Sequence, residues 1–372
     1  MNNPIRILHV FGALDMGGAE TLVMNIYRKI DRTKVQFDFI KHTNKVGVYE
    51  DEIKSLGGKV YSIDSFNGAN YFKYKKQWNV FFKQHPEYKI IHGHVRSTAA
   101  AYLKIAKRYG LITISHSHNT SSGVGISSIV KDVMQYPIRY IADYFFACSD
   151  IAGKWLFGER IVNKNDAYRL IKNGIDIDSF IYNNEIRNTL RNQLNIQDKF
   201  VIGHIGRFTK QKNHSFLIDI FYEVYKIKKN AVLLLVGTGE LEEAIKEKVK
   251  RLGIEENVIF AGTTRDANVF YQAMDVFVFP SLFEGLGIVV IEAQASGLHC
   301  IVSEEIPREA YITDLIEKMY LKDSAYKWAE KILQYNCTYE HKSTYEEIKK
   351  SGYDIKGTAD YLVEFYTGIN NS

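Results

Sequence analysis

The chain has 372 residues, which is more than one hydrophobic core normally supports, and we therefore expect two domains. Hydrophobic residues make up 46% of the chain and charged residues 24%, as in a globular protein rather than a disordered or fibrous one. No apolar run approaches the roughly 20 residues that a membrane-spanning helix needs.

The net charge of +5 is unevenly distributed along the chain. Residues 1–180 contain 25 Lys and Arg against 16 Asp and Glu, whereas the remainder contains 23 against 27. A basic first half favours an anionic partner there, such as a membrane surface or a phosphate-bearing substrate. We expect no nucleic acid partner, because no recognisable nucleic-acid-binding motif accompanies the charge.

The cysteine content and the first residues indicate the compartment. Cys148, Cys300 and Cys337 are odd in number and widely spaced, which predicts neither a disulfide framework nor a zinc site. A strand-like segment begins at Ile5, so we expect no secretory signal. We therefore expect a cytoplasmic protein, peripheral to the inner face of the membrane through its basic first half.

The first predicted unit is a strand over 5–10, a glycine-containing loop and a helix over about 19–30. Gly17 and Gly18 stand at the helix entrance, where they would let a ligand approach the backbone closely. The spacing is not the G-x-G-x-x-G fingerprint, and a plain tight turn is the alternative.

Strand-like and helix-like segments then alternate through the first half. The predicted strands are 35–40, 60–63, 89–92, 111–115, 144–147 and 169–172. The predicted helices are 49–56, 71–84, 97–108, 127–141 and 151–157. This alternation with short connections predicts an α/β fold with a doubly wound parallel sheet. The mixture of aromatic residues and lysines in 71–84 fits either an interfacial amphipathic helix or a helix that packs on the sheet.

A second alternating series follows a polar stretch over 182–199. The predicted strands are 200–205, 232–236, 258–260 and 276–279. The first predicted helix ends near residue 228. The others are 241–252, 267–273, 288–297, 324–335, 339–351 and 355–366. Two such halves should form a cleft that the carboxyl ends of both sheets face.

The segment over 279–293 is a strand, a glycine loop and a helix whose N-terminus offers unpaired N–H groups to an anion. Glu284 lies in the loop, and Glu292 lies among apolar residues about one turn into the helix. A buried carboxylate is costly unless something such as a ligand hydroxyl hydrogen-bonds it. A solvated helix face or a structural ion pair is the alternative.

Arg207 and Lys212 follow a predicted strand directly, in a loop that opens a helix. Arginine offers a planar fork to phosphate oxygens and lysine a mobile point charge. Together they could stabilise a departing diphosphate without a protein-held metal. The alternative is a pair of solvated surface charges.

His116 and His118 follow a strand end two residues apart. A metal site would need a further carboxylate or cysteine that is not evident nearby, so a contact to a substrate hydroxyl is favoured. A buried structural histidine is the alternative. His92 and His94 repeat the spacing, and we interpret them as packing and loop residues.

The pair Asp176 and Asp178 has a D-x-D spacing, but it follows Asn173 and Gly174 in an apparent turn. We interpret these aspartates as turn and capping residues rather than metal ligands. The motifs of nucleophile-elbow hydrolases, zincins and P-loop NTPases do not occur.

The motifs taken together resemble those of the GT-B retaining glycosyltransferases of family 4. The matching segments are 16–20, 173–176, 206–212, 236–239 and 284–292. Their order and separation match along nearly the whole chain, and 116–119 looks like bacterial capsule, exopolysaccharide and cell-surface glycan enzymes. The pattern departs after Gly297, where the family's proline and glycine-rich loop are missing. Residues after 300 stay unassigned, with Glu305 and Glu309 as candidate donor contacts.

The resemblance implies two Rossmann-like domains that face a cleft. It implies an acceptor-binding domain over 1–180, completed by a C-terminal helix over 355–372. It also implies a nucleotide-sugar-binding domain over 181–354.

The resemblance also implies a role for each candidate residue in the second domain. It assigns Arg207 and Lys212 to the donor diphosphate and Glu292 to the ribose hydroxyls. It places Glu284 at the donor sugar and phosphate. The remaining donor-binding candidates of this domain are Gly237, Gly285, Leu286, Gly287 and Ile288.

In the first domain, the resemblance implies that Gly17 and Gly18 let the first loop approach the diphosphate and sugar. It assigns the contact to the donor sugar to His118, with His116 as the alternative. His118, Arg207, Lys212 and Glu284 are the residues expected to act in catalysis.

The activity that the resemblance implies is transfer of a sugar, with retention, from a nucleotide-diphosphate donor to an acceptor hydroxyl. We expect a UDP-sugar rather than a GDP-sugar, a glycan acceptor that is lipid-linked, and neither a metal nor a cofactor. A nucleotide-sugar epimerase or hydrolase of the same fold, and a non-enzymatic nucleotide-binding scaffold, are the alternatives.

Overall fold

The computed structural model describes residues 3–119, 126–264, 266–335 and 341–371. The chain divides into two compact units, each built on a parallel sheet. The first unit comprises residues 1–175 and 352–372, and the second comprises residues 176–351.

The first unit contains a seven-stranded sheet with helices on both faces. Its strands are β1 (Ile5–Phe11), β2 (Val35–Lys41), β3 (Val60–Ser62), β4 (Ile90–Gly93), β5 (Ile112–Ser117), β6 (Tyr144–Ala147) and β7 (Tyr168–Leu170). They pair in parallel in the order β3-β2-β1-β4-β5-β6-β7. Its first eight helices are α1 (Gly18–Lys29), α2 (Glu50–Ser55), α3 (Tyr71–Gln84), α4 (Ala99–Arg108), α5 (Ile126–Gln135), α6 (Ile138–Ile141), α7 (Asp150–Phe157) and α8 (Glu159–Lys164).

The aromatic side chains of α3 settle the two interpretations of the segment 71–84. Tyr74, Trp78, Phe81 and Phe82 are buried in the core on one face of the sheet, whereas Phe72 is 83% exposed. The helix therefore packs on the sheet, because four of its large rings contribute to the core.

The prediction of one helix over 127–141 is wrong. The segment forms α5 and α6, which are separated at Pro137. Proline lacks an amide N–H and its ring clashes with the preceding turn, so it kinks or breaks a helix.

The second unit contains a six-stranded sheet. Its strands are β8 (Phe200–Ile205), β9 (Ala231–Val236), β10 (Val258–Phe260), β11 (Val276–Phe279), β12 (His299–Ser303) and β13 (Ile316–Met319). They pair in parallel in the order β10-β9-β8-β11-β12-β13. The helices are α9 (Ile177–Phe180), α10 (Asn184–Gln193), α11 (His214–Ile227), α12 (Glu242–Arg251), α13 (Ala267–Ala273), α14 (Ile288–Ala295), α15 (Ala325–Leu333) and α16 (Tyr345–Lys350).

The predicted helix over 339–351 starts later than the pattern indicates. Residues 336–340, which include Cys337, lie outside the described residues, and α16 begins at Tyr345. The buried hydroxyl of Thr344 donates a hydrogen bond to the carbonyl oxygen of Gln294 at 2.7 Å. This bond attaches the N-terminal end of α16 to α14.

The last helix, α17 (Ile355–Asn371), belongs to the first unit. Leu362, Tyr366 and Ile369 are buried in the core that this helix shares with α1. The hydroxyl of Tyr366 lies 2.7 Å from Nδ1 of His92 on β4. The end of the chain therefore completes the core of the first unit. Within the described ranges, no helix combines the length and the apolar content that crossing a bilayer requires.

We expect Tyr366→Ala to lower the free energy of unfolding by about 3–5 kcal/mol, because it leaves a cavity in the core. Tyr366→Phe removes only the hydroxyl and should cost about 1–2 kcal/mol. Urea unfolding followed by circular dichroism measures both effects. Tyr361→Ala, at an exposed position of the same helix, is the matched control, and equal stability of the two alanine variants would contradict the role of Tyr366.

Candidate functional site

Hydrogen bonds join the loop after β8 to the loop after β11 at the carboxyl edge of the second sheet. The amide of Leu282 donates to the carbonyl oxygen of Gln211 at 2.8 Å, and the hydroxyl oxygen of Ser281 lies 3.0 Å from the same oxygen. Nδ2 of Asn213 donates to the carbonyl oxygen of Pro280 at 3.1 Å. The two loops therefore hold their candidate residues in one fixed arrangement.

Lys212 and Glu284 form an ion pair across these two loops. Nζ of Lys212 lies 2.6 Å from Oε1 of Glu284, and the side chains are only 16% and 7% exposed. The hydroxyl of Ser281 donates to the same carboxylate oxygen at 2.5 Å, and Nζ also lies 4.7 Å from the centre of the Phe279 ring. The position of the Lys212 ammonium is thus set by the loop that carries Glu284.

Arg207 differs from Lys212 because its side chain is exposed. Among the described residues it has no ion-pair or side-chain hydrogen-bond partner. The loop after β8 therefore presents one paired cation and one guanidinium that is available to an anionic ligand.

The glycine loop before α14 has the geometry of an anion-binding helix entrance. Gly287 caps the helix with φ of 78°, a left-handed conformation that favours glycine, and Ile288 is the first helical residue. The amides of Leu286 and Gly287 have no acceptor among the described residues, and a Cβ on Gly285 would meet nothing within 4 Å. Unpaired amides at a helix N-terminus attract anions.

The backbone conformation and the close packing at position 237 favour glycine. Its φ is 134°, and a Cβ there would lie 2.2 Å from the carbonyl oxygen of Gly206. The same approach lets the amide of Phe208 donate to the carbonyl oxygen of Thr238 at 3.0 Å. Gly237 thus lets the loop that carries Arg207 pack on its neighbour, and its donor contact stays a prediction.

Glu292 is a partly buried carboxylate on α14. Burial raises its pKa to about 7. The hydroxyl of Tyr271 lies 2.9 Å from Oε2 of Glu292 and 3.1 Å from the carbonyl oxygen of Val289. Because that hydroxyl has a single proton, both contacts are satisfied at once when Glu292 is protonated and donates to Tyr271.

The two glycines before α1 differ in the space around them. Gly17 occupies the N-cap position, and a Cβ there would lie 2.2 Å from Oε2 of Glu20. A Cβ on Gly18 would meet no atom within 4 Å. Packing within the first unit therefore does not require glycine at position 18.

Five histidines lie together at the carboxyl edge of β1, β4 and β5. Nε2 of His118 is 2.8 Å from Nδ1 of His94, and Nε2 of His94 is 3.0 Å from Nδ1 of His9. Nδ1 of His116 is 3.2 Å from Nε2 of His92. His116 is buried and His118 is partly exposed, where burial still lowers the pKa of His118 to about 3.

His92 is buried, as expected of a packing residue, but His94 contacts the predicted site residue His118 directly. The sequence contained a signal for this cluster, because the H-x-H spacing occurs at the ends of two strands that prove to be neighbours. The contact of Tyr271 with Glu292 had no such local signal.

Asp176 occupies the N-cap position of α9, and its carbonyl oxygen accepts a hydrogen bond from the amide of Ser179 at 2.9 Å. The position of Asp176 agrees with the interpretation of this segment as a turn and cap, and the absence of a metal role stays a prediction.

The pKa of Glu292 predicts that Glu292→Gln stabilises the protein at alkaline pH. The carboxyl group ionises near 4.5 when unfolded but near 7 when folded, so stability falls as the pH rises through this window. The full penalty above pH 7 is about 3 kcal/mol, and glutamine does not incur it.

Urea midpoints at pH 5 and pH 8 measure this effect. The advantage of Glu292→Gln over the wild type should grow between the two values of pH. Glu243→Gln, at an exposed position of α12, should show no such change. A pH-independent difference for Glu292→Gln would contradict the raised pKa.

Comparisons with known proteins identify the family. Residues 16–179 match the family model described as Glycosyltransferase Family 4, and residues 186–352 match the model described as Glycosyl transferases group 1. The chain is 33% identical over 371 residues to a Bacillus subtilis (strain 168) protein named as glycosyltransferase EpsF, covering 97% of this chain and 96% of that protein.

It is 23% identical to the capsular polysaccharide biosynthesis glycosyltransferase CapH of Staphylococcus aureus, covering 97% and 98% of the two chains. The structure of Anabaena Alr3699/HepE in complex with UDP is similar, with a TM-score of 0.71 at 18% identity, over 96% of this chain and 94% of that one. The predicted fold class, with its two parallel-sheet α/β units, is thereby confirmed. The chain is a glycosyltransferase and belongs to family 4, with the GT-B fold.

Proposed function

We propose that this protein transfers a sugar from a UDP-sugar to an acceptor hydroxyl in the synthesis of a bacterial surface polysaccharide. Transfer retains the anomeric configuration and needs no metal. The observation that carries the proposal is the pair of joined loops in the second unit, which presents Arg207, Lys212 and the free amides before α14 together. The name of CapH supports the polysaccharide product, and the UDP complex of HepE supports the donor.

The donor diphosphate is the group that these loops fit. Arg207 offers a planar fork and Lys212 a fixed ammonium, while the amides of Leu286 and Gly287 add the partial positive charge of a helix N-terminus. Such preorganised donors stabilise negative charge that develops as the diphosphate leaves. Glu284 sets the position of Lys212 and, with Gly285, borders the donor sugar.

The ribose is the group that fits Glu292. A carboxylate can accept hydrogen bonds from two neighbouring hydroxyls, and this interaction favours the charged form. Donor binding therefore lowers the pKa of Glu292, which burial has raised. The ionised carboxylate then accepts a hydrogen bond from the hydroxyl of Tyr271.

Retention follows from transfer on one face of the donor sugar. The bond from the anomeric carbon to the diphosphate oxygen breaks, the bond to the acceptor oxygen forms on the same face, and the leaving diphosphate takes the acceptor proton. A covalent route needs a free carboxylate nucleophile. Glu284 is engaged by Lys212 and Ser281, and Glu292 is assigned to the ribose, so neither supports that route.

His118, Gly17 and Gly18 are the contributions we propose from the first unit. A neutral imidazole at His118 can exchange a hydrogen bond with a hydroxyl of the donor sugar. The open space at Gly18 supports close approach of a ligand to the backbone.

We also propose that the acceptor is lipid-linked and that the first unit contacts the membrane surface. Its basic charge supports this, and so do the apolar side chains that α5 and the following residues expose. Ile129 and Val133 are 63% and 69% exposed, and the others are Val130, Tyr136 and Tyr140. Exposed apolar residues beside Lys131 and Arg139 suit an anionic interface.

Arg207→Ala and Lys212→Ala should each lower turnover at least tenfold, or about 1.4 kcal/mol in activation free energy, because charge on the leaving diphosphate loses a partner. UDP release from UDP-sugars in the presence of extracted lipid-linked glycans measures turnover. Lys210→Ala, at an exposed lysine of the same loop, is the matched control.

Lys212→Ala leaves a nearly buried carboxylate unpaired, so the double variant Lys212→Met with Glu284→Gln separates lost charge from lost folding. Near-normal turnover in the Arg207 and Lys212 variants would contradict the diphosphate assignment. Rapid UDP release without any acceptor would indicate a hydrolase or epimerase. Tight UDP binding without transfer to any extracted acceptor would indicate a scaffold.

Ile129→Asp with Val133→Asp should weaken binding to anionic vesicles at least tenfold, because burial of an apolar side chain contributes about 1.5–3 kcal/mol. Cosedimentation with phosphatidylglycerol vesicles at low and high salt measures this. Val80→Asp, at an exposed position of α3 in the same unit, should bind as the wild type does. Equal binding by the double variant and the wild type would refute the membrane surface.

A further inference from the structure

We propose that His94, His116 and His118 form a binding site for one divalent transition-metal ion, such as Zn²⁺. The three residues lie at the carboxyl edge of β4 and β5. Each offers one ring nitrogen, and these atoms lie within 4.8 Å of one another. Tetrahedral zinc with Zn–N bonds of about 2.0–2.1 Å separates its nitrogen ligands by about 3.3 Å, so the rings need only small shifts.

The ring nitrogens that would face away from the ion already have partners. Nε2 of His94 lies 3.0 Å from Nδ1 of His9, and Nδ1 of His116 lies 3.2 Å from Nε2 of His92. His92 is held in turn by the hydroxyl of Tyr366 at 2.7 Å. Metal-binding histidines depend on such contacts, which fix the ring orientation and the tautomer.

The nitrogen of His116 that remains for an ion is Nε2. This atom is buried and has no hydrogen-bond partner among the described residues. Buried polar atoms normally have a partner, and a bound ion would supply the one that this nitrogen needs.

The type of donor atom decides which ions fit the site. All three side chains are imidazoles, and none of the three is a carboxylate or a thiol. Neutral imidazole binds Zn²⁺, Cu²⁺ and Ni²⁺, whereas Mg²⁺ and Ca²⁺ prefer oxygen ligands.

A second set of three histidines meets the same distance criterion, namely His9, His92 and His94. We favour the outer set because His94 and His118 are partly exposed, whereas His9 and His92 are buried. An ion can reach the outer set from solvent, and its remaining coordination position can hold water.

One consequence rests on the proposed function. If His118 contacts the donor sugar through Nε2, an ion bound to that nitrogen prevents the contact. Zn²⁺ should then inhibit sugar transfer rather than support it, while chelation should restore activity.

The binding test uses the metal-stripped full chain. Equilibrium dialysis with Zn²⁺ should give one saturable site per chain, and Co²⁺ should produce visible absorption bands of tetrahedral coordination. His116→Ala and His118→Ala should abolish both signals. His9→Ala should keep one site and weaken it about 10–100-fold, because only the support of His94 is lost.

His85→Ala is the matched control, since it removes a histidine from the surface of the same unit. It should leave both signals unchanged. A wild-type chain that takes up no stoichiometric Zn²⁺ and yields no tetrahedral Co²⁺ spectrum overturns the site, whether or not the variants fold. An equal loss in His85→Ala overturns it as well. Stoichiometric binding without inhibition of UDP release keeps the site and removes His118 from the donor contact.

Discussion

The ion pair between Lys212 and Glu284 is the interaction on which the candidate donor site depends. It joins the loops after β8 and β11, which are neighbouring strands of the second sheet. Ser281 donates to the same carboxylate, and the hydroxyl of Ser303 at the end of β12 donates to the carbonyl oxygen of Ser281 at 2.6 Å. Three adjacent strand ends are therefore linked. A nearly buried pair of this kind does little for net stability, but loss of one partner is costly, so it fixes geometry.

Glu292 lowers the stability of the free protein, whereas the pair of Lys212 and Glu284 changes it little. Its ionised form is disfavoured by burial, and the fold supplies one hydroxyl, from Tyr271, that is shared with a carbonyl oxygen. The free protein thus carries a carboxylate that opposes folding at neutral pH. A ligand with two hydroxyls would relieve this cost, which couples donor binding to the stability of the second unit.

Much of the fold was predictable from periodicity alone. The apolar runs before Lys41 and before Pro280 are strands, as expected, because buried parallel strands read as continuous apolar segments. β13 was missed because it lies at a sheet edge, where Glu317 and Lys318 interrupt the apolar pattern. Pro137 by itself predicts a break in the helix, and the expectation of one continuous helix over 127–141 overlooked it.

The candidate site was predictable to a lesser degree. Strand ends show which loops lie at the carboxyl edge of a sheet, so Arg207, Lys212 and Glu284 were identifiable as neighbours. Which cation pairs with Glu284 depends on side-chain conformations that no local pattern specifies. The histidine cluster depends on the order in which β1, β4 and β5 pair, because that order brings His9 beside His92 and His94 beside His118.

The return of α17 to the first unit has a consequence for synthesis of the protein. Residues 176–351 are contiguous, so all of the second unit is synthesised before α17. Most of the first unit is synthesised earlier, yet its core lacks Leu362, Tyr366 and Ile369 until α17 has been made. Because domains generally fold as units, we expect the first unit to complete its core only after the second unit has been synthesised.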